Sequence, residues 1–132
     1  YANPTEDLGF VLREARLQDT KNRQNSVDLN PDDEDDRFII ADWNRRQPEV
    51  IDLAKEHYAW AVNCGIAKEQ ARAVLPEGNT ESRLYVQGSI RSWVHYISVR
   101  TDASTQKEHR LLALEIAKVI NEIFSVEILG QN

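Results

Sequence analysis

The chain has 132 residues, 16 Lys/Arg against 22 Asp/Glu, a formal net charge of −6 and one cysteine. Its length allows one domain with one core, and its 41% hydrophobic and 29% charged residues are a globular composition. These numbers exclude a helical membrane span, a disulfide framework, a cysteine zinc cluster and a general nucleic-acid binder, which needs a broad basic excess. The lone Cys64 fits a reducing cytoplasm. The opening YANPTEDLGF has neither a basic start nor an apolar centre, so it does not read as a signal peptide. There is no methionine and the chain opens on Tyr1, so the expectation is a piece of a longer protein.

In chain order, FVLREARL (10–17) reads as a strand or a helix, and LQDTKNRQNS (17–26) as a polar loop. PDDEDD (31–36) reads as a solvated loop or a helix start; without a glycine it makes a poor calcium loop. FIIADW (38–43) is too short for its periodicity to decide. Pro48 predicts a helix start, with Ile51, Ala54, Tyr58 and Ala61 or Val62 at helical spacing and Gly65 as a left-handed cap. A short helix over 67–75 stops before Pro76, and Glu77, Gly78 and Asn79 form a turn. Residues 83–87, RLYVQ, are the best strand candidate. Gly88 and Ser89 launch a helix through Val99. Thr105 and Glu108 match a capping box for the next helix, with Leu112, Ile116, Ile120 and Phe124 as its buried stripe. The fold class is therefore α/β (α+β), rich in helix.

Charge is uneven. Residues 67–110 carry a small basic excess between two acidic flanks, and Ser82 to Thr101 contains no Asp or Glu while holding Arg83, Arg91, His95 and Arg100. Arg91 and His95, four apart, share a helix face. Arg91 stands in a first turn, where the backbone N–H groups already favour an anion, so a cation there opposes the helix dipole. A bound phosphate removes that conflict. Arg100 and Gln106 flank the loop between the two helices. A local excess of this size suits a small anionic ligand better than a polymer. By spacing alone each of these side chains is more often an ordinary solvated or packed residue, and Arg72 a stem covering apolar surface. No nucleophile triad, metal-ligand pattern or Gly-rich phosphate loop is present.

EQARAVLP (69–76), SIRSWVHYISVR (89–100) and the Gln106, Lys107, Glu108 step resemble, in order and nearly in spacing, the C-terminal half of the flavin-dependent thymidylate synthases. That family shows Ala-Arg-x-x-Leu-Pro, a strand, Asn-Ala-Arg-Ser, an apolar helix ending in Leu-Arg, and Ala-Gln-x-Glu. KNRQNS (21–26) resembles the viral members most closely. Tyr1 resembles the last residue of the family's Ser-x-Arg-Tyr signature, which implies a missing N-terminal half that completes the sheet of a single domain.

The resemblance implies reductive methylation of dUMP, with FAD as cofactor, NADPH as electron source, methylenetetrahydrofolate as carbon donor, and a homotetramer that binds neither nucleic acid nor membrane. It assigns Arg72, Arg100 and Tyr1 to dUMP, with Arg100 favouring the ionised uracil N3. It assigns Ser89, Arg91, His95 and Gln106 to FAD, and implies no metal. Ser89 for Asn, and Thr105 for the usual Ala, depart from the family pattern. The competing readings are a non-catalytic flavin- or nucleotide-binding remnant and a structural helical interaction domain.

Overall fold

The computed structural model describes residues 8–124; Tyr1 lies outside them. The described chain is α+β and rich in helix. Two short strands, β1 (Arg16–Gln18) and β2 (Ser26–Asp28), pair antiparallel with Arg16 opposite Asp28 and Gln18 opposite Ser26. The helices are α1 (Glu34–Asn63), α2 (Lys68–Ala71), α3 (Ile90–Arg100) and α4 (Lys107–Phe124). The chain divides into two compact units. One contains Leu29–Leu84 with the segment up to Ala15, the other Arg16–Asp28 with the chain from Tyr85 onward.

In the first unit the acidic run is a helix start. The Asp33 side chain accepts the Asp36 N–H at 3.1 Å, and Glu34, Asp35 and Asp36 fill the positive end of α1. The helix therefore starts fourteen residues before Pro48, takes in FIIADW, and carries Pro48 in its interior. The local rule that proline opens a helix fails here because the capped, acid-rich start lies further upstream, and a long helix tolerates the loss of one hydrogen bond. Beside Pro48, the nearly buried Gln47 joins the segment before Ala15 to the turn after Pro76. Its Nε2 donates to Arg13 O at 2.9 Å, and its Oε1 accepts from Arg13 N at 2.7 Å and Asn79 Nδ2 at 3.0 Å. Val11 N donates to Asn79 O at 2.8 Å, and Phe10 bridges to Thr80, so residues from Phe10 are extended rather than helical.

The end of α1 is as expected. Gly65 has φ +86°, its N–H donates to Val62 O, and the Ile66 N–H donates to Ala61 O. This is the paired 5→2 and 6→1 bonding of a Schellman motif. Ile51, Ala54, Tyr58 and Ala61 are buried, and Tyr58, Ala61 and Ala71 form a core with Leu8, Val62 and Leu75 packed on it.

In the second unit Ser89 caps α3, its Oγ accepting the Ser92 N–H at 3.2 Å. Ile97 is fully buried against Ala117 and Ile120, with Trp93, Val94, Tyr96 and Ile116 around them. The buried stripe of α4 is thus Ala113, Ala117 and Ile120; Leu112 and Phe124, expected inside, are about half exposed. Small residues sit where α3 and α4 approach, and the larger side chains lie beside the contact. The expected capping box does not close. The Thr105 N–H donates to Asp102 O, its hydroxyl turns to Val99 O, Glu108 pairs with Arg16, and α4 begins at Lys107.

RLYVQ is not a strand. Leu84 and Val86 are largely exposed and Tyr85 is 90% exposed, with no ladder partner among the described residues. β propensity describes a side chain's fit to a pleated, half-covered surface, and nothing in the described chain supplies that surface.

Candidate functional site

The second unit holds a cavity of about 470 Å³ lined by β1, β2, the turn between them, the end of α3 and the start of α4. Its chemistry comes from Arg16, Arg23, Arg100, Gln106 and His109, with further polar groups from the hairpin. No carboxylate lines it, although the chain as a whole is acidic.

The hairpin is held locally by Asp19. Its carboxylate accepts the N–H groups of Lys21 at 2.8 Å and Asn22 at 3.2 Å, and the Asn25 amide at 3.2 Å. Those bonds, the Lys21 N–H first and then the Asn22 N–H, hold the Asp19 carboxyl below its usual range. Gln18 Nε2 donates to Arg23 O at 3.2 Å. The polar stretch is a loop over residues 19–25, as expected, and it closes a β-hairpin. It is joined to the start of α4 by the Arg16–Glu108 ion pair, by Lys107 Nζ to Asp28 Oδ1 at 3.2 Å, and by Asn22 Nδ2 to Ser104 O at 3.3 Å.

The α3–α4 turn is fixed the same way. Asp102 accepts the Ser104 hydroxyl at 2.5 Å and the Ser104 N–H at 2.8 Å, and these bonds, the hydroxyl first, lower its pKa. His109 Nε2 lies 2.8 Å from the Tyr96 hydroxyl, and Tyr96 meets Trp93 edge-on, ring centroids 5.6 Å apart. The imidazole thus has a fixed place in the wall.

Of the residues singled out from the sequence, Arg100 and Gln106 meet in this cavity. Arg91 and His95 lie a turn apart on the exposed face of α3 and do not line it. The Ser89 hydroxyl is engaged in capping α3. Arg72 belongs to the other unit, on a short 3₁₀ turn, and lines a separate cavity of about 420 Å³ with Leu75, Glu77 and Thr80. Sequence reasoning missed Arg16, Gln18 and His109. Arg16 reaches the start of α4 across 92 residues of sequence with no local spacing signal, whereas His109 stands about one helical turn after Gln106. KNRQNS did mark the hairpin tip. Among the described residues no helix is long and apolar enough to cross a membrane, and no cluster of His, Cys, Asp or Glu could hold a metal ion.

The donor set is suited to phosphate and ring carbonyl groups: guanidinium and imidazole with amides between them, and no competing carboxylate. A family model described as thymidylate synthase complementing protein matches residues 4–125. A protein of Synechocystis sp. named flavin-dependent thymidylate synthase is 48% identical over 124 residues, covering 94% of this chain and 54% of the relative. One from Paramecium bursaria Chlorella virus 1, named probable flavin-dependent thymidylate synthase, is 43% identical over 86% of this chain and 48% of the relative. A flavin-dependent thymidylate synthase of Kosmotoga olearia is 30% identical over 86% of this chain and 46% of its own length. The chain spans about half the length of the curated relatives it matches. The match over residues 4–125 takes in both units and every wall of the cavity, and the chain belongs to the flavin-dependent thymidylate synthase family.

Proposed function

We propose that this chain forms part of an enzyme that reductively methylates dUMP to dTMP, with FAD as cofactor, NADPH as electron source and methylenetetrahydrofolate as carbon donor. The observation that carries the reading is the meeting of Arg100 and Gln106, from two helix ends, in a cavity without carboxylates. Methylation at uracil C5 requires negative charge to develop on the pyrimidine ring. A fixed guanidinium at the ring stabilises that charge without reorganising when it appears. Arginine suits the role because it stays charged and presents a planar fork. Arg100 takes this role at N3, and Arg72 and Tyr1 hold the nucleotide.

Ser89, Arg91, His95 and Gln106 would hold FAD. The exposed, acid-free face of α3 carrying Arg91 and His95 offers cationic and imidazole donors for its phosphates, and Gln106 an amide for a ring oxygen. Bound and reduced, the flavin supplies the hydride of the reaction. No protein nucleophile is needed, and Cys64, exposed after the end of α1, takes no part.

The same reading includes a sheet completed by a missing N-terminal half and a homotetrameric cytoplasmic enzyme; the uncovered Leu84, Tyr85 and Val86 leave apolar surface for further chain to cover. The test is tritium release from [5-³H]dUMP by the full protein with flavin, NADPH and methylenetetrahydrofolate. Release that depends on all three supports the reading. A yellow protein that binds dUMP without release is the non-catalytic remnant, and a colourless one that binds neither ligand is a structural domain.

A further inference from the structure

The cavity holds three guanidinium groups, and only two have an evident employment. Arg16 has a side chain 10% exposed and is paired with Glu108, which makes it part of the wall. Arg100 is the ring-facing arginine of the proposed reaction. Arg23 remains. Its side chain makes no hydrogen bond or ion pair among the described residues, yet its backbone sits in a turn held by several hydrogen bonds. On either side of it, Asp19 holds the Lys21 and Asn22 N–H groups and Asn25 N donates to Asn22 O at 3.0 Å, while Asn22 anchors to Ser104 O. A rigid backbone carrying an uncommitted guanidinium into a space without carboxylates has paid much of the ordering cost of binding before a ligand arrives.

We infer that Arg23 is a specificity-determining residue of this cavity, binding the phosphate or carboxylate group of a substrate rather than the cofactor. This rests on the proposed thymidylate reaction, whose substrates offer both anions: the 5′-phosphate of dUMP and the glutamate carboxylates of the folate. Both oxyanions accept paired N–H bonds from a guanidinium fork. Arg23 acts on binding; it does not face the carbon that reacts.

The experiment uses the full, flavin-loaded protein and its Arg23→Ala and Arg23→Lys variants, titrated calorimetrically with dUMP, with deoxyuridine, and with methylenetetrahydrofolate bearing one or several glutamates. Arg23→Ala is expected to weaken one anionic substrate roughly ten- to a hundredfold, the worth of a charge-assisted pair. Deoxyuridine affinity and flavin content stay at the wild-type value, and Arg23→Lys recovers part of the loss. Weakening of dUMP alone assigns the phosphate; weakening of the folate, graded by glutamate number, assigns the carboxylate. Unchanged affinity for both, equal weakening of deoxyuridine, or loss of flavin overturns the assignment. If the wild-type protein binds neither substrate, the thymidylate reading has failed, and inorganic phosphate decides the separate question. Phosphate binding that Arg23→Ala abolishes sustains the anion site, and its absence from the wild type or its persistence in the variant removes it.

Discussion

Arg16 and Glu108 form an ion pair across 92 residues of sequence, joining the first strand of the hairpin to the first turn of α4. The Arg16 side chain is 10% exposed and that of Glu108 34%, so solvent screens the pair less than it screens the α1 surface pairs of Arg45 with Asp42 and Glu49. Removing one partner leaves a charge in a place shaped for two. Arg16→Ala is expected to cost about 1–3 kcal/mol, and Glu108→Gln, which keeps the shape and a hydrogen-bonding amide, less. Arg45→Ala should cost less than either. Urea unfolding of the three variants gives the ordering, and an Arg16→Ala cost equal to that of Arg45→Ala removes the pair's structural role.

Gly65 offers a separate stability test. Its φ of +86° is unfavourable for any residue with a Cβ, while open space surrounds the site, so an added methyl meets nothing. Gly65→Ala should therefore destabilise by about 1 kcal/mol through backbone conformation alone. D-alanine at the same position, introduced by semisynthesis, should restore or exceed wild-type stability. A thermal midpoint for Gly65→Ala equal to wild type would show that the Schellman bonds do not hold the end of α1.

The contrast between these two sites explains how much could be read from the sequence. Gly65, the Ser89 cap and the buried Tyr58 depend on a few consecutive residues or one helical period, and all three were legible. The start of α1 was misread because Pro48 carries a strong local signal, whereas the true cap, Asp33, lies within a charge run that reads equally well as a loop. The loop expected over 17–26 holds for residues 19–25, and its flanking strands were not foreseen because strands of three residues are too short to show alternation. RLYVQ failed in the opposite sense: its local preference is for a strand, but a strand needs a neighbour that local sequence cannot supply. In the cavity, Arg100 and Gln106 belong to a helix-loop-helix stretch whose chemistry is contiguous. His109 belongs to that same stretch, three residues after Gln106, whereas Arg16 reaches the place through its pairing with Glu108, a three-dimensional relationship with no sequence spacing.

The hairpin tip should respond to acid. The Asp19 pKa is lowered from its usual 3.8, chiefly by the Lys21 N–H and then by the Asn22 N–H. A carboxyl whose folded-state pKa is depressed contributes stability that is present above the unfolded value, and that stability is lost as pH falls through the folded value. Order at the tip is therefore expected to persist at pH 5 and to fade below about pH 4, within the range where carboxylates take up protons. Carboxyl carbon titration of Asp19 by NMR, followed together with amide exchange at Lys21 and Asn22, reads both events. Asp19→Asn should remove the pH dependence of exchange. Exchange at Lys21 that is constant from pH 5 to pH 2.5 in the wild type would break the link.

Arg100 and Arg91 should fail in different ways when removed. Arg100 ends α3 and lines the cavity with Gln106, whereas Arg91 sits on the exposed face in the first turn of the same helix. Neither side chain packs in the Ile97 core, so alanine at either site leaves the fold intact. Under the proposed reaction, Arg100→Ala keeps its flavin and loses turnover by about 10²–10³, the usual effect of deleting one preorganised donor at a developing charge. Lysine does not restore it, because a point charge lacks the planar fork. Arg91→Ala instead releases flavin first, and its turnover falls in proportion to flavin content. The paired measurement is flavin absorbance per protein and dUMP-dependent oxidation of reduced flavin by stopped flow. If Arg100→Ala oxidises flavin at the wild-type rate, or sheds it as readily as Arg91→Ala, the division of labour between the two ends of α3 is wrong.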